Sequence, residues 1–131
     1  TLTGAFVTGD AVTCTVTPDD GEDVGTALSD TVTIENSLPE VVSVILSPST
    51  VYTNDTITAT VSTTDADGDG VSVTYEWWVD GSTVAETGST LDGATYFDKD
   101  QVVYVVVTPN DGYEDGAAVS SSSCCSNSTS M

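Results

Sequence analysis

The stretch FVTGDAVTCTVTPDDGEDVGTALS, residues 6–29, is matched by FDKDQVVYVVVTPNDGYEDGAAVS, residues 97–120, at a constant offset of 91 residues. Both stretches contain the block TPxDGxxxG in the same register. Further upstream, Thr1-Leu2 matches Thr90-Leu91 at an offset of 89 residues. Self-similarity in a fixed register indicates tandem structural repeats. The repeat period is therefore about 90 residues, the size of one small β domain.

The repeat divides the chain unequally. Residues 39–126 form one complete repeat, residues 1–38 hold only the carboxyl-terminal part of another, and residues 127–131 form a tail. The junction Asn36-Ser37-Leu38-Pro39 is too short and stiff for a free linker. A half repeat of about three strands exposes an apolar face and open edges. We expect its missing half to come from upstream sequence or from another chain.

Alternation of apolar and hydroxylated residues predicts strands throughout the complete repeat. Trp77 lies in the segment YEWWVDG and shares a face of its strand with Val73 and Tyr75. This alternation predicts that Trp77 is the core tryptophan. Short strands separated by Gly-Asp turns predict an all-β fold, an immunoglobulin-like Greek-key β-sandwich. The predicted strands span residues 41–46, 56–62, 71–79, 83–86, 90–94, 102–108 and 117–125.

The charge of the chain excludes several functions. With 21 acidic residues, a single basic residue (Lys99) and no histidine, the net charge is −20. Such a chain has no basic surface for nucleic acid or for anionic lipid headgroups. No apolar run is long enough to insert into a membrane. Because histidine is absent and the carboxylates lie in short turns without a cleft, we expect no enzymatic activity.

The acidic residues cluster in loops that could bind a cation. Asp65, Asp67 and Asp69 alternate in DADGDG, where a glycine permits a sharp turn. Three carboxylates in this pattern suit calcium, although a solvated acidic turn explains them as well. A sandwich brings this loop to the same end as the loop of TPNDGYEDG. The predicted calcium ligands are Asp65, Asp67, Asp69, Asp111, Glu114 and Asp115.

The motifs DADGDG, YEWWVDG and TPNDGYEDG together resemble the tandem immunoglobulin-like and PKD-like (cadherin-like) repeats of bacterial extracellular surface proteins. The resemblance covers the whole chain when residues 1–38 are counted as a partial copy. It implies an extracellular location at the cell surface, a role in adhesion or as a stalk, and calcium as a cofactor.

Two surfaces are candidates for interfaces. Trp78, and Val102, Tyr104 and Val106 on the outward face of another strand, could contact a partner or lie under a neighbouring loop. In the half repeat, the unpartnered apolar face contains Val12, Val16, Val32 and Ile34.

Cysteines and glycosylation signals leave alternatives open. Cys14 aligns with inward-facing Val105, which favours a buried thiol. By the same alignment Cys125 takes a core position and Cys124 an outward one, and a disulfide among the three cysteines is possible in an oxidising compartment. Asn54 and Asn127 occupy N-glycosylation acceptor patterns.

These features together predict a non-enzymatic structural module of an extracellular surface filament or stalk. Its partner would be the protein itself, as a homo-oligomer or filament assembled by half-domain complementation between subunits and stiffened by calcium. The alternative is an adhesin-type module that binds carbohydrate or a partner protein.

Overall fold

The computed structural model describes residues 1–127, with side chains described as far as Cys124. Within them the chain is almost entirely β-structure, which confirms the predicted all-β class. The chain divides into two compact units, the first covering Thr1–Asn36 and the second beginning at Ser37. This division lies two residues before the boundary predicted from the sequence.

The first unit contains one antiparallel pair of strands, β1 (Ala11–Val16) and β2 (Leu28–Thr33). Alternation of threonine with apolar residues favours this extended structure. On one face of the pair, the hydroxyl groups of Thr13 and Thr31 lie 2.7 Å apart. The other face carries the apolar side chains, with Val12 opposite Val32 and Val16 opposite Leu28.

The second unit contains two further sheets. Its strands are β3 (Glu40–Ser47), β4 (Val51–Tyr52), β5 (Thr56–Thr64), β6 (Ser72–Val79), β7 (Ser82–Thr83), β8 (Thr90–Asp92), β9 (Val102–Asn110), β10 (Val119–Ser120) and β11 (Cys124–Asn127), with one short helix, α1 (Gly93–Tyr96). The smaller sheet has the order β3-β5-β8. The larger sheet has the order β4-β11-β9-β6-β7, and β10 also pairs with β9.

The core of the second unit lies between these two sheets. The smaller sheet contributes Ile57, Ala59 and Leu91, and the larger sheet contributes valines at every second position of β9. Trp77 is fully buried, which confirms its predicted core position, and its indole N–H donates to the carbonyl oxygen of Gly88 at 2.8 Å. This hydrogen bond satisfies the indole N–H that burial removes from water.

Most predicted strands are present, but the last one, residues 117–125, is interrupted. Val119 pairs with Val107, whereas Cys124 pairs with Val103, so this segment carries one extra residue. At the interruption, the amide of Ser121 donates to the carbonyl of Val105, and the Ser121 hydroxyl accepts from the Val105 amide. Beyond the extra residue, the side chains that would have faced outward face the core, and those that would have faced the core face outward.

This register shift corrects the assignment of the two adjacent cysteines. Cys124, expected to face outward, is half-buried and packs against the core. The alignment placed Cys125 in the core instead because it assumed an uninterrupted strand. The side chain of Cys125 lies outside the described residues.

Candidate metal centre

The acidic loop between β5 and β6 is organised around Asp65. One carboxylate oxygen, Asp65 Oδ1, accepts the backbone N–H groups of Asp67 at 2.9 Å and Asp69 at 3.1 Å. Gly68 has a φ of 81°, and its amide donates to the Asp65 carbonyl. A glycine favours this left-handed conformation because it has no Cβ. The loop therefore turns sharply around a single carboxylate.

The other oxygen of the same carboxylate, Asp65 Oδ2, is buried and has no hydrogen-bond partner among the described residues. An unpaired buried carboxylate oxygen costs free energy because the protein does not replace the lost water contacts. A cation bound at this oxygen would remove the cost. This atom is the feature of the loop that best fits a metal ion.

The three alternating aspartates come together as the sequence predicted. One oxygen from each of Asp65, Asp67 and Asp69 can be chosen so that all three lie within 4.8 Å of one another. Asp67 is held in place by Ser37, whose amide and hydroxyl donate to its two carboxylate oxygens at 2.7 and 3.1 Å. The donor set consists of carboxylate oxygens, which hard cations such as calcium prefer.

Repulsion among the carboxylates of this loop favours the binding of a cation. Partial burial, followed by the charges of Asp65 and Asp67, raises the pKa of Asp69. The charge of Asp111 contributes to the same rise in pKa, so the loop after β9 lies within electrostatic range of the triad. A bound cation would offset this repulsion.

The second predicted set of ligands lies in the loop after β9. Asp111 is buried, with 5 % of its surface exposed, and its Oδ1 accepts the amides of Tyr113 and Glu114 at 2.8 Å each. Asp115 Oδ1 accepts from the side-chain amide of Asn110 at 2.7 Å. Among the described residues, the group that could hold a metal consists of the first three aspartates alone. It does not include Asp111, Glu114 or Asp115.

A loop of the same construction occurs in the first unit. Asp20 Oδ1 accepts the amides of Glu22 and Asp23 at 2.9 Å, as Asp111 does for the matching residues. The hydrogen bond from Asp23, followed by that from Glu22, lowers the pKa of Asp20. The amide of Gly25 donates to the Pro18 carbonyl at 2.8 Å.

The corresponding bond in the second unit joins Gly116 to Pro109, also at 2.8 Å. The two TPxDGxxxG blocks therefore share their local hydrogen bonding as well as their sequence.

An aromatic pair lies on the outward face of the larger sheet. Trp78 and Tyr104 are opposite each other on β6 and β9, with ring centroids 5.8 Å apart and planes inclined by 6°. The Trp78 indole N–H donates to Glu76 Oε1 at 2.9 Å. Glu76 therefore lies on β6 and accepts a hydrogen bond from its neighbour on the same face. Val102 is exposed beside the pair and Val106 is half-buried.

The apolar face predicted in the half repeat is open. Val16 and Val32 are more than 60 % exposed, whereas Val12 and Ile34 are half-buried. The expectation of a buried Cys14 is wrong, because this side chain is exposed. Its matched residue, Val105, is buried by a second sheet that the first unit does not have.

Asn54 is exposed in the tight turn between β4 and β5, where the Asp55 amide donates to the Tyr52 carbonyl at 2.9 Å. The other acceptor pattern begins at Asn127, whose side chain lies outside the described residues, as do residues 128–131.

Comparisons of the chain with protein-family models, with curated proteins and with solved structures give no match. In the described part of the chain, no helix has the length and apolar character needed to cross a membrane.

Proposed function

We propose that this chain is a non-enzymatic structural module of an extracellular surface filament or stalk, built from immunoglobulin-like repeats of the PKD-like type. In this proposal the half repeat is completed by a half repeat of a neighbouring subunit, and calcium stiffens the loops. The observation that carries the proposal is the contrast between matched positions. Val107 is fully buried, whereas Val16, its partner in the repeat, is 62 % exposed.

The strand order of the second unit supports a Greek-key sandwich. Strands that follow one another in the chain, such as β5 and β6, belong to different sheets, while β6 and β9 are neighbours in one sheet. Such crossings between two antiparallel sheets are typical of immunoglobulin-like domains. The buried Trp77 in the middle of the larger sheet fits the same architecture.

The exposed face of the first unit supports assembly through half domains. A two-stranded sheet with an open apolar face is marginally stable in water. Adding strands from a neighbour would bury that face and satisfy the free backbone edge of β1. Contacts of this head-to-tail kind propagate into a filament when they do not close into a ring.

The geometry of the aspartate loop supports calcium as the stiffening ion. Calcium takes about six to eight oxygen ligands in flexible arrangements. Asp65 Oδ2, which has no hydrogen-bond partner in the portion of the chain that the structure describes, and the carboxylate of Asp69 are the strongest candidates for direct ligands. Asp67, with both oxygens engaged by Ser37, would link the ion to the start of the second unit.

Titration calorimetry with calcium chloride, together with thermal melts in calcium and in chelator, tests the ion. We expect binding heat and a higher melting temperature of the second unit in calcium, because the ion offsets the repulsion among the aspartates. Asp69→Asn should abolish the shift in melting temperature. Asp98→Asn, the same charge change outside the loop, should retain it. An equal melting temperature in calcium and chelator would contradict this assignment.

The filament itself is tested on material from cells that produce the chain. Surface fibres are sheared off and purified, and their peptides are identified by mass spectrometry. Immunogold labelling then locates the chain on the fibres. We expect label along the length of the fibres. Recovery of the chain only as a soluble monomer would overturn the proposal.

A second candidate function rests on the stacked pair Trp78 and Tyr104. Trp78 and Tyr104 are half-buried, and the accessible part of an aromatic face can contact sugar rings or peptide side chains, while the adjacent Glu76 could accept a hydrogen bond. This arrangement favours the adhesin-type alternative. A soluble monomer that binds glycans, and loses them in Trp78→Ala, would support the adhesin over the filament.

A further inference from the structure

The apolar face of the first unit is interrupted by few polar groups. Val16, Leu28 and Val32 are 62 %, 77 % and 61 % exposed, and Cys14 lies among them. One charge, Asp30, stands opposite Cys14. Contiguous exposed apolar surface of this kind is typical of a contact site rather than of a free surface.

In the second unit, the equivalent apolar face is covered by other strands. The matched valines of β9, Val103, Val105 and Val107, are fully buried. They are covered by the smaller sheet, and the edge of β9 away from β10 is paired along its length by β6. The corresponding edge of β1 has no strand beside it among the described residues.

The match extends beyond the strand pair. Leu91, on strand β8 of the smaller sheet, is fully buried, and Phe97 is 3 % exposed. Their partners in the repeat, Leu2 and Phe6, are 66 % and 41 % exposed. These differences in burial are all explained by the strands that surround the residues of the second unit and are missing around their partners in the first unit.

We infer that the exposed face and free edge of β1 bind an amino-terminal half repeat equivalent to residues 37–89. The inference rests on the proposed function and identifies the partner that it requires. The bound half would supply the counterpart of β6 at the edge of β1. It would also supply the counterparts of Ile57 and Ala59 over its apolar face.

The test extends the full chain at its amino terminus with a second copy of Ser37–Ser89. Ser89 then precedes Thr1 as it precedes Thr90 in the natural sequence. The measurement is the rate of alkylation at Cys14, followed by mass spectrometry of its peptide. We expect alkylation to slow by on the order of 100-fold, because the thiol moves from an exposed to a buried position.

Two further variants make the test decisive. The first carries the same extension with Ile57→Asp in the added copy only, and we expect its Cys14 to react at the rate of the unextended chain. The second has a short Gly-Ser spacer before Thr1, which relieves any strain at the joint. Alkylation of Cys14 at the unextended rate in both the direct and the spaced extension overturns the inference.

A dilution series of the unextended chain tests the competing occupant. Protection of Cys14 that increases with concentration, together with Cys14–Cys14 crosslinking, would show two first units packed face to face and would overturn the inference. None of these measurements depends on the location of the natural protein. Protection in the extended chain would support this partner even if the chain were absent from surface fibres.

Discussion

Val12, Cys14 and Val16 in the first unit match Val103, Val105 and Val107 in the second, yet their surroundings differ. The three residues in the second unit are fully buried, whereas Cys14 and Val16 are exposed. Local hydrogen bonding is the same around the two TPxDGxxxG blocks. These residues therefore specify their own strand and turn, while their burial depends on strands from elsewhere in the repeat.

The largest expected difference between the units comes from a matched pair of leucines. Leu91→Ala should lower the stability of the second unit by about 2–5 kcal/mol, because it leaves a cavity in the core. Leu2→Ala should change the first unit by about 0.5 kcal/mol or less, because Leu2 is 66 % exposed. Hydrogen exchange at increasing urea, with peptides from each unit, measures both. Equal losses would show that Leu2 is covered in solution.

A matched pair of glycines gives the next largest effect. A Cβ at position 116 would overlap the backbone carbonyl of Pro39, whereas at Gly25 it would meet a ring carbon of Pro18 at 2.7 Å. Gly116→Ala should therefore destabilise the second unit by about 1–3 kcal/mol, as overpacking does. Gly25→Ala should cost less, because a proline ring can shift more easily than backbone.

Thermal melts combined with hydrogen exchange measure this pair. Gly70→Ala serves as a control, since its added Cβ would meet no atom within 4 Å. A loss at Gly25→Ala as large as that at Gly116→Ala would mean that a backbone segment like Pro39 also packs against the first unit.

The smallest expected effects concern the two acidic loops, and they have opposite signs. The pKa of Asp69 is raised, so the folded second unit binds this proton more tightly than the unfolded chain does. Its contribution to stability is therefore lost as the pH rises through that pKa. The pKa of Asp20 is lowered, so its contribution is present at neutral pH and is lost as the pH falls.

Substitution at each loop tests these signs in the presence of chelator. At pH 7, Asp69→Asn should raise the melting temperature of the second unit, because it removes a repelled charge. Asp20→Asn should weaken hydrogen-exchange protection in the first unit, and the difference should vanish in acid. A lower melting temperature for Asp69→Asn in chelator would show that its carboxylate holds the loop together.

Strand positions and the acidic triad could be predicted from the sequence because each depends on local pattern. Alternating valines in β9 specify an extended strand with one buried face, and DADGDG places three carboxylates in one turn. The prediction failed at Cys124, because a single extra residue near Ser121 reverses which side chains face the core. Such an insertion leaves no mark in the alternation of a serine-rich segment.

The sequence by itself determined the repeat, the strands and turns, and the clustering of charge in loops, because backbone preferences and hydrogen bonds between near neighbours produce these features. Only the tertiary structure decided which matched residues are buried and that Asp65 Oδ2 has no hydrogen-bond partner within the described part of the chain. Burial depends on what packs against a residue from distant parts of the chain. Val16 and Val107 carry the same side chain, and only the presence of a second sheet separates them.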